Sequence, residues 1–309
     1  ISSRPQEGHA MRIAVELDPP AHNARGDALA FLRDGALFLR DAGADCLTMA
    51  DNPRAIPRGD SVALASLVRA LTGVPIVPHL ACRDRNLLSI RSALTALDVA
   101  GIHEVLVVTG DPVRAEDRAR VSTRAAFCAA DLAQSVAQWN SDGEGFSEPF
   151  RVSAALNVNA PNFDAELRRA ERKRSCGVVR FLTQPVLSAE AAANLAKARR
   201  ALSGEIYGGI LPIVSYRNAE FLSSGIRGIA VGPEILSRYR GLDKDRAARL
   251  AVDLSLEAAR EMRNSVDGYY LITPFRRLDI VGKIIGEIRA AERGETADGR
   301  AREPMAVSA

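Results

Sequence analysis

What this sequence lacks narrows it first. Only four cysteines occur in 309 residues: Cys46, Cys82, Cys128 and Cys176. They lie far apart and form no C-x-x-C pair, which speaks against a zinc ribbon or a disulfide framework and for reduced thiols in a cytoplasmic protein. No apolar run approaches the length that crosses a bilayer, and no charged-apolar-small leader opens the chain, so no membrane partner is expected. Neither sign of charge dominates: 41 basic and 38 acidic residues leave a net charge of +3. The two signs are interleaved rather than clustered, which argues against a nucleic-acid partner. Also missing are a G-x-G-x-x-G after the first strand, a Ser-His-Asp order and a metal-ligand cluster. The few lysines, such as Lys173, Lys197 and Lys283, fall on helices or their ends, which disfavours the Schiff-base chemistry of aldolase-type barrels.

What is present is an ordinary globular composition, 47% apolar and 26% charged, enough to fill a sizeable core. A single rhythm of helix and strand runs through it. Helical faces are expected at Leu29, Leu32, Ala36 and Leu39, at Leu64, Leu67, Val68 and Leu71, and at Leu87, Ile90, Leu94 and Leu97, ending at Gly43, Gly73 and Gly101. Further helices are expected over 122–139, 163–176, 188–203, a long stretch 217–263, and 277–291. Strands are expected near residues 12, 45, 75, 104, 150, 178, 206 and 268, apolar on both faces as covered parallel strands should be. Eight such units in one compositional regime read as a single α/β domain, a (β/α)8 TIM barrel over 11–291, with an extended helical region between strands seven and eight. An open doubly wound sheet is the rival, and it lacks its glycine fingerprint. Residues 1–10 read as an expression remnant or disordered leader, and the charged segment 292–309 as a disordered tail.

Chemistry in such a barrel sits at the C-terminal strand ends. Strand one, "RIAVELDPP", stops on Glu16 and Asp18 before two prolines. Thr48, Asp51 and Asn52 end the second strand, His79 the third, and Thr109, Gly110 and Asp111 the fourth. Asn157 and Asn159, Thr183 and Gln184, and Ser215 and Tyr216 close strands five to seven, and Thr273 the eighth, with Arg276 and Arg277 beyond. Singly, each has an ordinary reading: Glu16 as a loop cap or ion-pair partner, His79 as a structural histidine, Asp111 before Pro112 as a turn former. Gln184 alone reads as a backbone-bonding amide and Tyr216 as a rim aromatic. Their concentration on one face is harder to dismiss. A carboxylic acid in an amide-rich pocket suits proton donation to a nitrogen, with an organic cofactor doing the redox work.

The stretches "VELDPP", "LTMADN", "PHLACRDRN", "GIHEVLVVTGDP", "LTQPV", "GGILPIVSYRNAEFL" and "YYLITPF" occur in an order that resembles the methylenetetrahydrofolate reductase family over residues 11–290. The resemblance is greatest to the reductase half of bacterial proteins fused to a homocysteine methyltransferase; no methyltransferase half lies within these residues. It implies FAD as cofactor, NADH or NADPH as hydride donor, a folate substrate, a ping-pong cycle in one-carbon metabolism and a homo-oligomer. Glu16 matches the family's general acid, and Asp111 the aspartate near the flavin pyrimidine and the pterin. Thr48, His79, Gly110, Ala154 and Lys173 match flavin-lining positions, and Gln184 a pterin-binding glutamine. Tyr216 stands at a covering aromatic, with Arg276 on the substrate side. Thr109 replaces an arginine of the stand-alone enzymes, and "LNVNAPN", with Asn157, replaces an aromatic-proline stretch; both positions border the FAD phosphates or ribityl-adenosine side. These departures keep two alternatives open: direct hydride transfer without flavin, and a folate-binding barrel that takes electrons from a partner.

Overall fold

A computed structural model describes residues 10–21, 27–119, 127–143, 145–225, 229 and 231–294. The chain alternates β1 Arg12–Glu16, α1 Ala28–Asp41, β2 Cys46–Met49, α2 Ser61–Thr72, β3 Ile76–Ala81, α3 Leu87–Val99, β4 Glu104–Val108, α4 Ala129–Ser141 and β5 Arg151–Leu156. It continues with α5 Phe163–Ser175, β6 Val178–Pro185, α6 Ala189–Ala201, β7 Glu205–Ile210, α7 Tyr216–Gly225, α8 Pro233–Arg238, α9 Lys244–Met262, β8 Gly268–Leu271 and α10 Leu278–Glu292. All eight strands are parallel and close on themselves, β8 pairing β1 through Ala14 and Tyr270. This is the (β/α)8 barrel expected from the sequence.

Strand parity divides the core into two layers. Ala14, Val77, Leu106, Leu182, Tyr207 and Tyr270 fill the barrel interior. Their sequence neighbours Ile13, Val15, Ile76, Val105, Val107, Phe181 and Tyr269 face the helices in the larger outer core. A third cluster, built on Leu211, Ile213, Ala219, Leu222, Tyr239 and Ala247, backs the loop after β7, where the Tyr239 hydroxyl donates to the Ile213 carbonyl at 2.6 Å. At the N-terminal end, Arg180 is nearly buried, pairs with both Glu104 and Glu205, and lies 4.6 Å over the Tyr207 ring. Charge fills that end of the barrel and is paired within it. All four cysteines are free, and no described helix is long and apolar enough to cross a membrane.

Helix boundaries follow their caps. Asp60 accepts from the amides of Val62 and Ala63 to open α2, and Gly73, at φ 68°, closes it. The expected faces are buried at Leu32, Ala36 and Leu39 on α1 and at Val68 on α2, while Leu29, Leu67, Leu71 and Leu87 are substantially exposed. The buried stripe adds Gly35 on α1, and on α2 it runs through Ser61, Val62, Ala65 and Val68. On α3 it runs through Ile90, Ala93, Leu94 and Leu97. Among the described residues the expected helical stretch 217–263 holds three helices: Pro233 opens α8 after Gly232, and Asp243 caps α9 by accepting from the Arg246 amide. The expected helix 122–139 begins at Ala129, with 122–126 outside the described residues. Residues 1–9 and 295–309 also lie outside them, while Glu292 belongs to α10 and accepts from the Met11 amide at 2.6 Å.

Candidate active site

Glu16 stands at the C-terminal end of β1 because alternation after Ala14 turns its side chain inward and Pro19 and Pro20 stop the ladder. Its backbone is fixed from both sides. The Thr273 hydroxyl donates to the Glu16 carbonyl at 2.6 Å, and the Leu17 amide donates to Thr48 at 2.9 Å. The Tyr270 phenol donates to Glu16 Oε2. Burial first, then the nearby Asp18 carboxylate, pushes the Glu16 carboxyl up to about 7, against the pull of the phenol. Asp18 is also raised by burial, although Arg58, Arg276 and Arg54 act to lower it. A carboxyl that titrates near neutrality can hold a proton and release it at physiological pH.

Beside Glu16, β2 and β3 present two buried polar atoms without a hydrogen-bond partner. The Thr48 hydroxyl, near the Tyr270 phenol, makes no hydrogen bond of ordinary geometry, and neither does His79 Nε2. Burial pulls the His79 imidazole down to about 4, so it is neutral at pH 7. Unsatisfied buried polar groups cost about 1–3 kcal/mol each. Two on adjacent strands at the catalytic end of a barrel mark a surface shaped for a polar ligand.

The loop after β4 carries Thr109, Gly110 and Asp111 around a cavity of about 440 Å³, also lined by Arg83, Pro112, Val113 and Arg118. Gly110 lies at φ 91°, and a Cβ there would come within 2.8 Å of Arg83 Cβ, so only glycine fits. Arg83 ties three loops together. Its guanidinium donates to the carbonyls of Asp111 at 2.6 Å and Asn52 at 3.3 Å, and it pairs with Asp84. The Asp111 carboxylate is exposed and accepts from the Arg54 amide at 2.6 Å, within a segment where Asn52, Arg54 and Ala55 all have positive φ. Asp51 is structural: buried, it accepts from the Ala81 amide at 3.0 Å and from Arg85 at 3.2 Å.

Most of the other candidates occupy the far side of the rim or stand back from it, while Arg276 stays beside Asp18. Asn157 Oδ1 accepts from the Asn159 amide at 3.0 Å, and its own amide donates to Glu166 at 3.1 Å. Half-buried Gln184 sits at a β6 irregularity where the Thr183 hydroxyl donates to the Gln184 carbonyl and accepts from the Gly209 amide, each at 2.8 Å. Tyr216 opens α7 and packs, half-buried, against the cluster behind the β7 loop. Arg276, at φ 59°, lays its guanidinium 4.4 Å over the Phe31 ring. Ala154 belongs to the outer core, so its methyl faces the helices. Lys173 donates its amine to the Ala155 carbonyl at 2.7 Å, and burial lowers its pKa. Thus Glu16, Thr48 and His79 converge on adjacent strands, Asp111 borders them through the Arg54 segment, and Ala154 and Lys173 lie behind β5.

Two residues emerge only from the structure. Tyr270 lies inside "YYLITPF", where parity sends one tyrosine inward and the other, Tyr269, toward the Ala259 carbonyl at 2.9 Å. Arg83 gave no signal beyond its place in "HLACRDRN". A group of Ser147, His103 and Asp98 also forms, at the opposite end of the barrel, but both partners meet the same ring nitrogen, His103 Nε2, at 3.1 and 2.7 Å. A nucleophile-base relay needs the two nitrogens to serve different partners, so this group is not a hydrolytic triad. No metal-holding group of three His, Cys, Asp or Glu occurs among the described residues.

The family model described as Methylenetetrahydrofolate reductase matches residues 4–285. No curated protein matches the chain. Among solved structures, the chain is similar to an uncharacterized protein from Clostridium thermocellum that binds two copies of 5-methyl-5,6,7,8-tetrahydrofolic acid. The identity is 14% and the TM-score 0.62, over 93% of this chain and 96% of that one. It is also similar to long-chain alkane monooxygenase (LadA), at 12% identity and TM-score 0.55 over 92% of each chain. A dihydropteroate synthase from Xanthomonas albilineans follows at 16% identity and TM-score 0.51, again over 92% of each. At these identities the structural likenesses show a shared barrel fold and nothing finer.

Proposed function

Because the chain belongs to the methylenetetrahydrofolate reductase family, we propose that it reduces 5,10-methylenetetrahydrofolate to 5-methyltetrahydrofolate, with NAD(P)H as electron source and FAD as carrier in a ping-pong cycle. The observation that carries this reading is Glu16: an acid titrating near 7, held by strands β1 and β8 at the catalytic end of the barrel. The net reaction adds a hydride and a proton to the folate. Glu16 supplies the proton to the ring nitrogen whose bond to the methylene carbon breaks, leaving an electrophilic iminium that accepts the hydride. An acid of this pKa is matched to such a step at neutral pH, and the contribution is typically ~10²–10⁴ in rate.

The residues present suit a flavin. The unpartnered Thr48 hydroxyl and His79 Nε2 offer polar contacts for a heteroaromatic edge. Gly110, packed directly on Arg83, turns the β4 loop around the cavity that Arg118 and Arg83 border. We assign Thr48, His79, Thr109, Gly110, Asp111 and Asn157 to this cofactor; Ala154 and Lys173, which stand behind β5, are left out of it. When bound, the flavin supplies hydride exchange between nicotinamide and folate. Asp111 and Gln184 are assigned to the pterin, and Tyr216 and Arg276 to the substrate side. The reading extends to kinship with the reductase half of the bacterial bifunctional proteins, to a cytoplasmic homo-oligomer, and to a place in methionine biosynthesis. The test is anaerobic: a yellow protein should bleach with NADH or NADPH and regain its colour on adding methylenetetrahydrofolate. A colourless protein that still reduces the folate would mean direct hydride transfer. A colourless, inactive one would mean a barrel that needs an electron-donating partner, and either result would displace the proposal.

A further inference from the structure

The Glu16 carboxyl has two oxygens, and only one of them can serve a substrate at the mouth. Oε2 is engaged by the Tyr270 phenol. Tyr270 is 7% exposed and sits on β8 in register with Ala14, two residues before Glu16 on β1. Its ring belongs to the interior core with Ala14, Val77 and Leu106, so it is held by packing as well as by its hydroxyl. We propose that Tyr270 is a positioning residue for Glu16: by donating to Oε2 it leaves the carboxyl proton to reside on Oε1, the oxygen free to meet the substrate. The inference rests on the acid role assigned to Glu16 above.

The arrangement works because the phenol is a fixed donor. Burial and the adjacent Glu16 carboxylate hold its pKa far above the tyrosine value, so it does not ionise in the working range. Its bond stabilises the carboxylate form and opposes burial and Asp18, which favour the neutral form. Asp18 is the charge that acts on Glu16, and it is itself faced by Arg54, Arg58 and Arg276 from the segments after β2 and β8. From β3, His79 contributes no charge at neutral pH. Tyr270 is therefore the one donor shown on the Glu16 carboxyl among the described residues.

Tyr270→Phe removes the hydroxyl and keeps the ring. Glutamate labelled with ¹³C at the side-chain carboxyl, with the Glu16 signal identified by its loss in Glu16→Gln, gives the titration of that one group in the purified protein. The expected result is an upward displacement of the Glu16 midpoint by about one pH unit, a tenfold change in its ionisation constant. Folate reduction should fall about tenfold while reduction of the protein by NADH is unchanged. Tyr269→Phe, which removes an equally buried hydroxyl on the outer face of the same strand, should lower the melting temperature and leave the Glu16 midpoint where it was. An unchanged or lowered Glu16 midpoint in Tyr270→Phe overturns the proposal. The titration needs no folate turnover, so a protein that fails to reduce folate while its Glu16 midpoint moves would refute the function and leave the Glu16–Tyr270 coupling intact.

Discussion

Replacing Glu16 by glutamine should stabilise this protein, and only at high pH. The carboxyl moves from an ordinary 4.5 to about 7 on folding, mainly through burial. The folded state therefore holds its proton more tightly than the unfolded chain does. Below pH 4.5 the group is neutral in both states and costs nothing in ionisation. As pH rises toward 7 the unfolded chain ionises first, so stability falls, and above 7 the cost is constant. At about 1.4 kcal/mol per pH unit, that interval sets a ceiling of about 3.5 kcal/mol on the cost of the buried charge. Glu16 is partly exposed at the mouth, so solvent screening brings the real value below this ceiling. Glutamine preserves the shape and still accepts from Tyr270 while removing the charge. Urea denaturation of both proteins between pH 4.5 and 8.5 gives the difference directly. It should be near zero at the acid end and grow to one or more kcal/mol, on the order of the ceiling, at the alkaline end. A difference that stays flat across this range would refute the account of Glu16 as an acid whose charge is disfavoured by burial.

Two other substitutions probe the rim. Asp111→Asn removes a charge that disfavours an anionic reduced flavin, so the flavin midpoint should rise and folate turnover should suffer more than NADH oxidation; spectroelectrochemistry beside steady-state kinetics checks this, and an unchanged midpoint with unchanged kinetics would make Asp111 only the anchor of the Arg54 amide. Tyr216→Ala should weaken nicotinamide and folate together, by about threefold to tenfold, through lost stacking. Tyr216→Phe should be nearly neutral, and a melting curve should separate this from lost packing against the cluster behind β7; loss of affinity for one substrate alone would contradict a shared cover.

The features legible in the sequence were those written in period and punctuation. Alternation through Ile13 and Val15 followed by Pro19 and Pro20 put Glu16 at a strand end, and the strand boundaries did the same for Thr48 and His79, while the closed barrel turns all three inward. Other features depend on choices that a pattern leaves open. On α2 apolar residues occupy adjoining faces, which hid the one that is buried, so Leu67 and Leu71 turn outward while Ala65 turns inward. Of the paired tyrosines at 269 and 270, only the closed register identifies the one that reaches Glu16. The breaks within 217–263 were marked by Gly232-Pro233 and the Asp243 cap, signals outweighed by the continuous helical composition around them. Ala154 carries no pattern that says its methyl faces the helices, and Arg83 acts through the carbonyls of two other loops, which no local sequence encodes.

The central claim is that Glu16 donates the proton in folate reduction and takes no part in receiving electrons from the nicotinamide. Stopped-flow measurement of the two half-reactions in Glu16→Gln tests it most directly. Reduction of the flavin by NADH should proceed at the wild-type rate, while its reoxidation by methylenetetrahydrofolate should slow by ~10²–10⁴. Reoxidation at near wild-type speed, or equal slowing of both half-reactions, would contradict it.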